Sequence, residues 1–79
     1  MDRAKFETEL NKAKMWMSID EDQDYWKGYQ LGLRRAFHGE NFGTGEEHQQ
    51  YLAALEDDIR HQLGLGYRDG LRIGGNPTT

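Results

Sequence analysis

Cysteine is absent from the 79 residues, so no disulfide and no thiolate metal site can form. Valine is also absent and isoleucine occurs only at Ile19, Ile59 and Ile73. With no apolar/polar alternation longer than four residues, the signals for strands are weak. No apolar run approaches the roughly 18 residues that span a bilayer. The first residues, Met1-Asp2-Arg3-Ala4-Lys5-Phe6, offer no apolar signal core, which sets the expected location in the cytoplasm. A strong positive charge is lacking too. The net charge is −4, the opposite of what a free-standing nucleic-acid-binding module carries.

What is present is a phrase used twice. Gly28-Tyr29-Gln30-Leu31-Gly32-Leu33-Arg34 returns 38 residues later as Gly66-Tyr67-Arg68-Asp69-Gly70-Leu71-Arg72. Glycine inside a helix costs up to about 1 kcal/mol against alanine, so the pattern asks for a compensating close approach or a turn. Nothing around the two copies matches, which speaks against a duplicated domain. The expectation is that the Tyr67–Leu71 segment docks near Tyr29 and Leu33.

Helical periodicity organises the rest. Phe6, Leu10, Ala13 and Met17 recur at steps of four, three and four, the spacing of one helix face. Ser18-Ile19-Asp20-Glu21 reads as a capping box, followed by a stripe of Tyr25, Trp26, Tyr29, Leu33, Ala36 and Phe37 that ends at Gly39. Phe42 is expected to plug the next junction. Thr44-Gly45-Glu46-Glu47 reads as a second capping box, ahead of Tyr51, Leu52, Leu55, Ile59 and Leu63, with Gly64 as the stop. The expected fold is all-α, a small three-helix bundle over about 3–17, 19–38 and 45–63. A short C-terminal element follows, so one domain covers 1–73 and a flexible tail covers 74–79.

Chemistry is thinly represented. Asp20, Asp22 and Asp24 open a calcium-loop pattern that fails at Tyr25 and Leu31, where Gly and Glu are required. His38, His48 and His61 lack metal-ligand spacing, although Asp57 and Asp58 precede His61 by four and three residues. Ser18 and Thr44 are accounted for as caps, and no nucleophile motif or P-loop occurs. The chain therefore reads as a non-enzyme with no cofactor and no metal. A metal-dependent enzyme built on the three histidines stands as the remote alternative.

The acids are unevenly placed: residues 40–63 hold six Asp/Glu against one Arg. Carboxylates along a rigid helix can imitate a phosphate backbone and occupy a basic channel. The candidate partner-binding residues are Asp20, Glu21, Asp22 and Asp24, with Glu46, Glu47, Glu56, Asp57 and Asp58. Trp16 and Trp26 are candidate anchors.

The stretch from Gly28 to Leu52, GYQLGLRRAFHGENFGTGEEHQQYL, is similar to a segment of small uncharacterised helical proteins of phages and prophages. The likeness lies in Gly-Tyr-x-x-Gly-Leu-Arg-Arg, His-Gly-Glu-x-Phe-Gly-Thr and Glu-Glu-His. In size and acidity the chain also resembles anti-CRISPR proteins, which bind a Cas complex and block DNA access or conformational change. That likeness is one of type, and no residue is carried over from it. Together these imply a phage or mobile-element inhibitor that binds a basic protein surface, such as a Cas complex, without touching nucleic acid or membrane. The alternative is a structural or regulatory homo-oligomer, a homodimer for instance, with the Gly-Tyr-x-x-Gly-Leu-Arg segments as interface.

Overall fold

The computed structural model describes residues 2–38 and 45–74. Within them the chain is helical: α1 (Arg3–Ile19), α2 (Gln23–His38), α3 (Gly45–Ala53), a one-turn 3₁₀ helix (Ala54–Glu56) and α4 (His61–Gly74). The all-α class holds, with four α-helices among the described residues instead of three. Gly39, Phe42 and Thr44 lie outside the described residues, as does the tail beyond Gly74.

The first hairpin, α1 against α2, follows the predicted stripes. Phe6 and Ala13 are buried on α1. Phe6 stacks on Phe37 at 4.3 Å and Trp16 stacks on Trp26 at 6.1 Å, so the two helices run antiparallel. The corner between them departs from expectation. Ser18 belongs to α1, where its hydroxyl donates to the Met15 carbonyl at 2.6 Å, so it does not cap α2. Asp20 takes the corner instead: it closes α1, and its carboxylate accepts the Asp22 amide at 3.0 Å and the Trp26 indole N–H at 3.2 Å.

The expected third helix is broken. The chain leaves the 3₁₀ turn at Asp57, whose carboxylate accepts the amides of Ile59 at 2.8 Å and Arg60 at 3.2 Å. These bonds start a new helix, α4, as a side-chain cap does. Gly64 therefore lies inside α4, buried, where a Cβ would stand 2.6 Å from the Leu55 amide nitrogen. The last helix is a full 14-residue element, and Gly74 is its buried final residue and not the start of a tail. α3 and the 3₁₀ turn pack antiparallel on α4, with Tyr51 and Tyr67 rings 4.9 Å apart.

The two hairpins meet through α2 and α4, the most extensive helix–helix contact. The helices run parallel. Gly28 faces Leu63 and Tyr67 of α4, and Gly32 faces Tyr67 and Leu71. Reciprocally, Gly66 faces Tyr25 and Tyr29, and Gly70 faces Tyr29 and Leu33. At all four glycines a Cβ would overlap the facing backbone. The two copies of the phrase thus pack on each other, the small-residue approach that parallel membrane helices also use. Leu33, with no exposed surface, and Tyr67, 2% exposed, are the largest fully buried side chains, one from each copy.

Candidate functional site

Parallel helices put both N-termini at one end of the molecule. The α2 entry brings Glu21, Asp22 and Asp24, and the α4 entry brings Asp57, Asp58 and Ile59. A groove of about 300 Å³ lies between them, lined by Glu21, Asp22, Gln23, Asp24, Ile59 and Gln62. A second, of about 390 Å³, shares Asp24 and Ile59 and continues along Lys27, Tyr51 and Arg60. Carboxylates here complement the positive ends of two aligned helix dipoles, while Arg35 and Arg72 occupy the opposite ends. The acidic end is therefore also a stabilising arrangement for the fold.

Two of the candidate acids are committed to structure. The hydrogen bonds from the Asp22 amide and the Trp26 indole hold the Asp20 carboxyl below its ordinary range. Those from the Ile59 and Arg60 amides do the same for Asp57. Glu21, Asp22, Asp24, Glu56 and Asp58 are exposed. Glu46 and Glu47 stand apart: they open α3, and the ten residues to Glu56 span about 15 Å of helix. Glu47 borders Tyr67, not the acidic end.

Ile59 is the residue that the sequence pattern misplaced. Its spacing with Leu55 and Leu63 puts it on a buried face of one long helix. The break at Asp57 turns it outward, and it is 88% exposed between the two grooves. The signal lay in the aspartate pair ahead of an apolar run that continues through Leu63 and Tyr67, a helix-start pattern. On the α1 side, Met15 (54%), Trp16 (42%) and Ile19 (67%) are exposed near the α1–α2 corner. Trp26 is half-buried and tied to Asp20, so Trp16 is the exposed ring of the pair.

The histidines are each engaged separately. His38 stands edge-on to Phe6 and Phe37. His61 places Nδ1 2.7 Å from the Leu55 carbonyl, where the chain folds back at the break, and not against Asp57 or Asp58. His48 Nδ1 pairs with the Tyr67 hydroxyl. Burial, then the neighbouring Arg35, pushes the His48 pKa down. Among the described residues no group of three or more His, Asp or Glu is arranged to hold a metal ion, and no helix is long and apolar enough to cross a membrane.

A third groove, about 280 Å³, lies where Tyr25, Tyr29, Asp69, Arg72 and Ile73 meet. The Tyr25 hydroxyl donates to Asp69 at 2.6 Å, and the Tyr29 hydroxyl donates to Glu9 at 3.4 Å. Burial, reinforced by these carboxylates, pushes both phenols up to about 12.

Comparison with protein-family models, curated proteins and solved structures finds no match for this chain.

Proposed function

We propose that the chain is a non-catalytic protein-binding inhibitor whose contact surface is the acidic end of the α2/α4 pair. One observation carries the reading: Ile59 is almost fully exposed on a turn fixed by the Asp57 carboxylate, with carboxylates on both sides. An apolar side chain held rigidly in water costs solvation and contributes nothing to the core. It suits a partner that offers an apolar pocket rimmed by Lys and Arg, with the acids steering the encounter. Met15, Trp16 and Ile19 extend the apolar part of that surface.

In its finer form the proposal is a phage or mobile-element inhibitor that occupies a basic channel of a bacterial nucleic-acid-handling complex of the CRISPR-Cas type. The small size of the chain and its net charge of −4 support that form. The test is calorimetric binding to a purified bacterial Cas effector at rising salt, with DNA cleavage as a second readout. Binding that weakens steeply with salt, and fails on reversing Glu56 and Asp58 to Lys, which spares the Asp57 turn, or on Ile59→Asp, supports the reading. Unchanged affinity after the reversal sinks the acidic surface; no binding to the effector at low salt sinks the CRISPR form.

The homo-oligomer reading takes a narrower shape. Gly28, Gly32, Gly66 and Gly70 already face one another within one chain, so the two segments offer no free interface in the closed monomer.

A further inference from the structure

The α2/α4 contact has an internal two-fold relation. Adding 38 to each α2 position gives its α4 counterpart: Gly28 and Gly66, Tyr29 and Tyr67, Gly32 and Gly70, Leu33 and Leu71. The contacts of Gly28, Gly32, Gly66 and Gly70 map onto one another under that shift, since Gly28 meets 63 and 67 while Gly66 meets 25 and 29. The helices begin in register as well, at Gln23 and His61. The hydrogen bonds entering them, Trp26 amide to Asp22 carbonyl and Gly64 amide to Arg60 carbonyl, are related by the same shift. The outer helices follow it one residue out of register. Tyr29 bonds Glu9 of α1, and Tyr67 bonds His48 of α3, at separations of 20 and 19 residues. Parallel helices related this way have the two-fold axis running between and along them, which is the geometry of an isologous interface.

We propose that the α2 face from Tyr25 to Ala36 is self-complementary and docks α2 of a second copy of this chain, while α4 pairs with the second copy's α4. The face is occupied in the structure by its own near-copy, which shows what it accepts. Replacing α4 by a second α2 changes two of the six facing positions: Tyr25 stands for Leu63, and Ala36 for Gly74. Both changes fall at the ends of the contact, and the glycine centre is untouched. In one chain the hairpins see each other at an effective concentration in the millimolar range, so the closed monomer dominates in dilute solution. Pairing between copies competes as the concentration approaches that value. Pairing of this kind parts the α2 entry from the α4 entry, so the groove between them belongs to the closed monomer.

Position 36 distinguishes the arrangements, because Ala36 Cβ lies 3.0 Å from where a Gly74 Cβ would stand, across the axis. The chain has no cysteine of its own, so single Ala36→Cys and Gly74→Cys variants report unambiguously. Each is unfolded, refolded at rising concentration up to the millimolar range, oxidised and run under non-reducing denaturing conditions. Lys27→Cys, on the exposed side of α2, reports random collision. The proposal expects covalent dimer from Ala36→Cys alone, rising with concentration, several-fold above the Lys27→Cys level. Gly74→Cys is expected to do the same. Dimer only when the two variants are mixed means that copies exchange hairpins with α2 on α4, and overturns the proposal. No dimer above the Lys27→Cys level overturns it as well. Ala36→Cys keeps the existing Cβ and decides the matter alone should Gly74→Cys fail to fold.

Discussion

Gly32 and Gly70 meet backbone to backbone: a Cβ on Gly70 would stand 3.1 Å from the Gly32 Cα, and closer still to the Tyr29 carbonyl oxygen. The fold is organised around this contact. Apolar side chains are few, and among the described residues the core consists of Phe6, Ala13, Leu33, Ala54 and Tyr67. Bringing two backbones together lets Leu33 and Tyr67 reach full burial from opposite helices. The helix-propensity cost of the glycines is offset by packing that no larger residue permits.

Alanine at Gly28, Gly32, Gly66 or Gly70 is therefore expected to destabilise. Helix propensity alone favours each change by up to about 1 kcal/mol. The added methyl must push α4 from α2, and overpacking of this kind costs about 1–3 kcal/mol on top of reversing that gain. Urea unfolding should show a net loss of about 2 kcal/mol at Gly32 and a similar loss at Gly70. Gly45, where a Cβ meets nothing within 4 Å, is the control, and Gly45→Ala should be neutral or mildly stabilising.

Tyr67→Phe removes the hydroxyl that pairs with His48, at the most buried aromatic ring among the described residues. The expected loss is about 1 kcal/mol, with His48 left without its partner.

His48 also makes stability depend on pH, through its burial and then the neighbouring Arg35. The folded state holds the His48 pKa below its ordinary 6.5. The unfolded chain then binds the proton more readily, so the neutral ring's contribution is complete above about 6.5 and is lost as pH falls through the lower folded value. Chemical-denaturation midpoints measured from neutral pH downward should fall in this range, and fall less in His48→Gln.

At the alkaline end Tyr25 and Tyr29 carry the opposite sign. Their folded pKa values are raised from 10.0 to about 12, so the protonated phenols contribute stability below pH 10 that disappears as pH approaches 12. Ultraviolet titration should show Tyr25, Tyr29 and Tyr67, the last also raised by burial, ionising after a free tyrosine. Asp69→Asn should bring Tyr25 down and leave Tyr29 higher.

Asp57→Ala is expected to lower the urea midpoint, because the Ile59 and Arg60 amides lose their acceptor at the start of α4. Asp58→Ala, one residue on in the same exposed turn, should not. A larger effect at Asp58 than at Asp57 contradicts the assigned cap.

Much of the fold was legible in the sequence, because α1 and α2 announce themselves by apolar spacing and the paired phrase pointed to its own partner. Tyr67 and Leu71 do dock by Tyr29 and Leu33. What misled was glycine. Gly64 reads as a helix stop when judged by propensity, yet it is a contact residue against Leu55. Small residues in a buried stripe carry no hydrophobic signal, so α4 looked like a short terminal element. The break at Asp57 was masked by Ile59, whose spacing continues the α3 stripe while its side chain faces water. The acidic end was legible as composition, but its assembly from two helix entries required knowing that α2 and α4 run parallel.

The α2/α4 pairing is tested most directly by proton nuclear Overhauser contacts in the unmodified chain. Cross-peaks are expected between the α-protons of Gly32 and Gly70, from the Gly28 α-protons to the Tyr67 amide, and from the Gly66 α-protons to the Tyr29 amide. A fully helical chain lacking all three sets would contradict the parallel glycine-faced pair on which the fold, the acidic end and the second-copy surface depend.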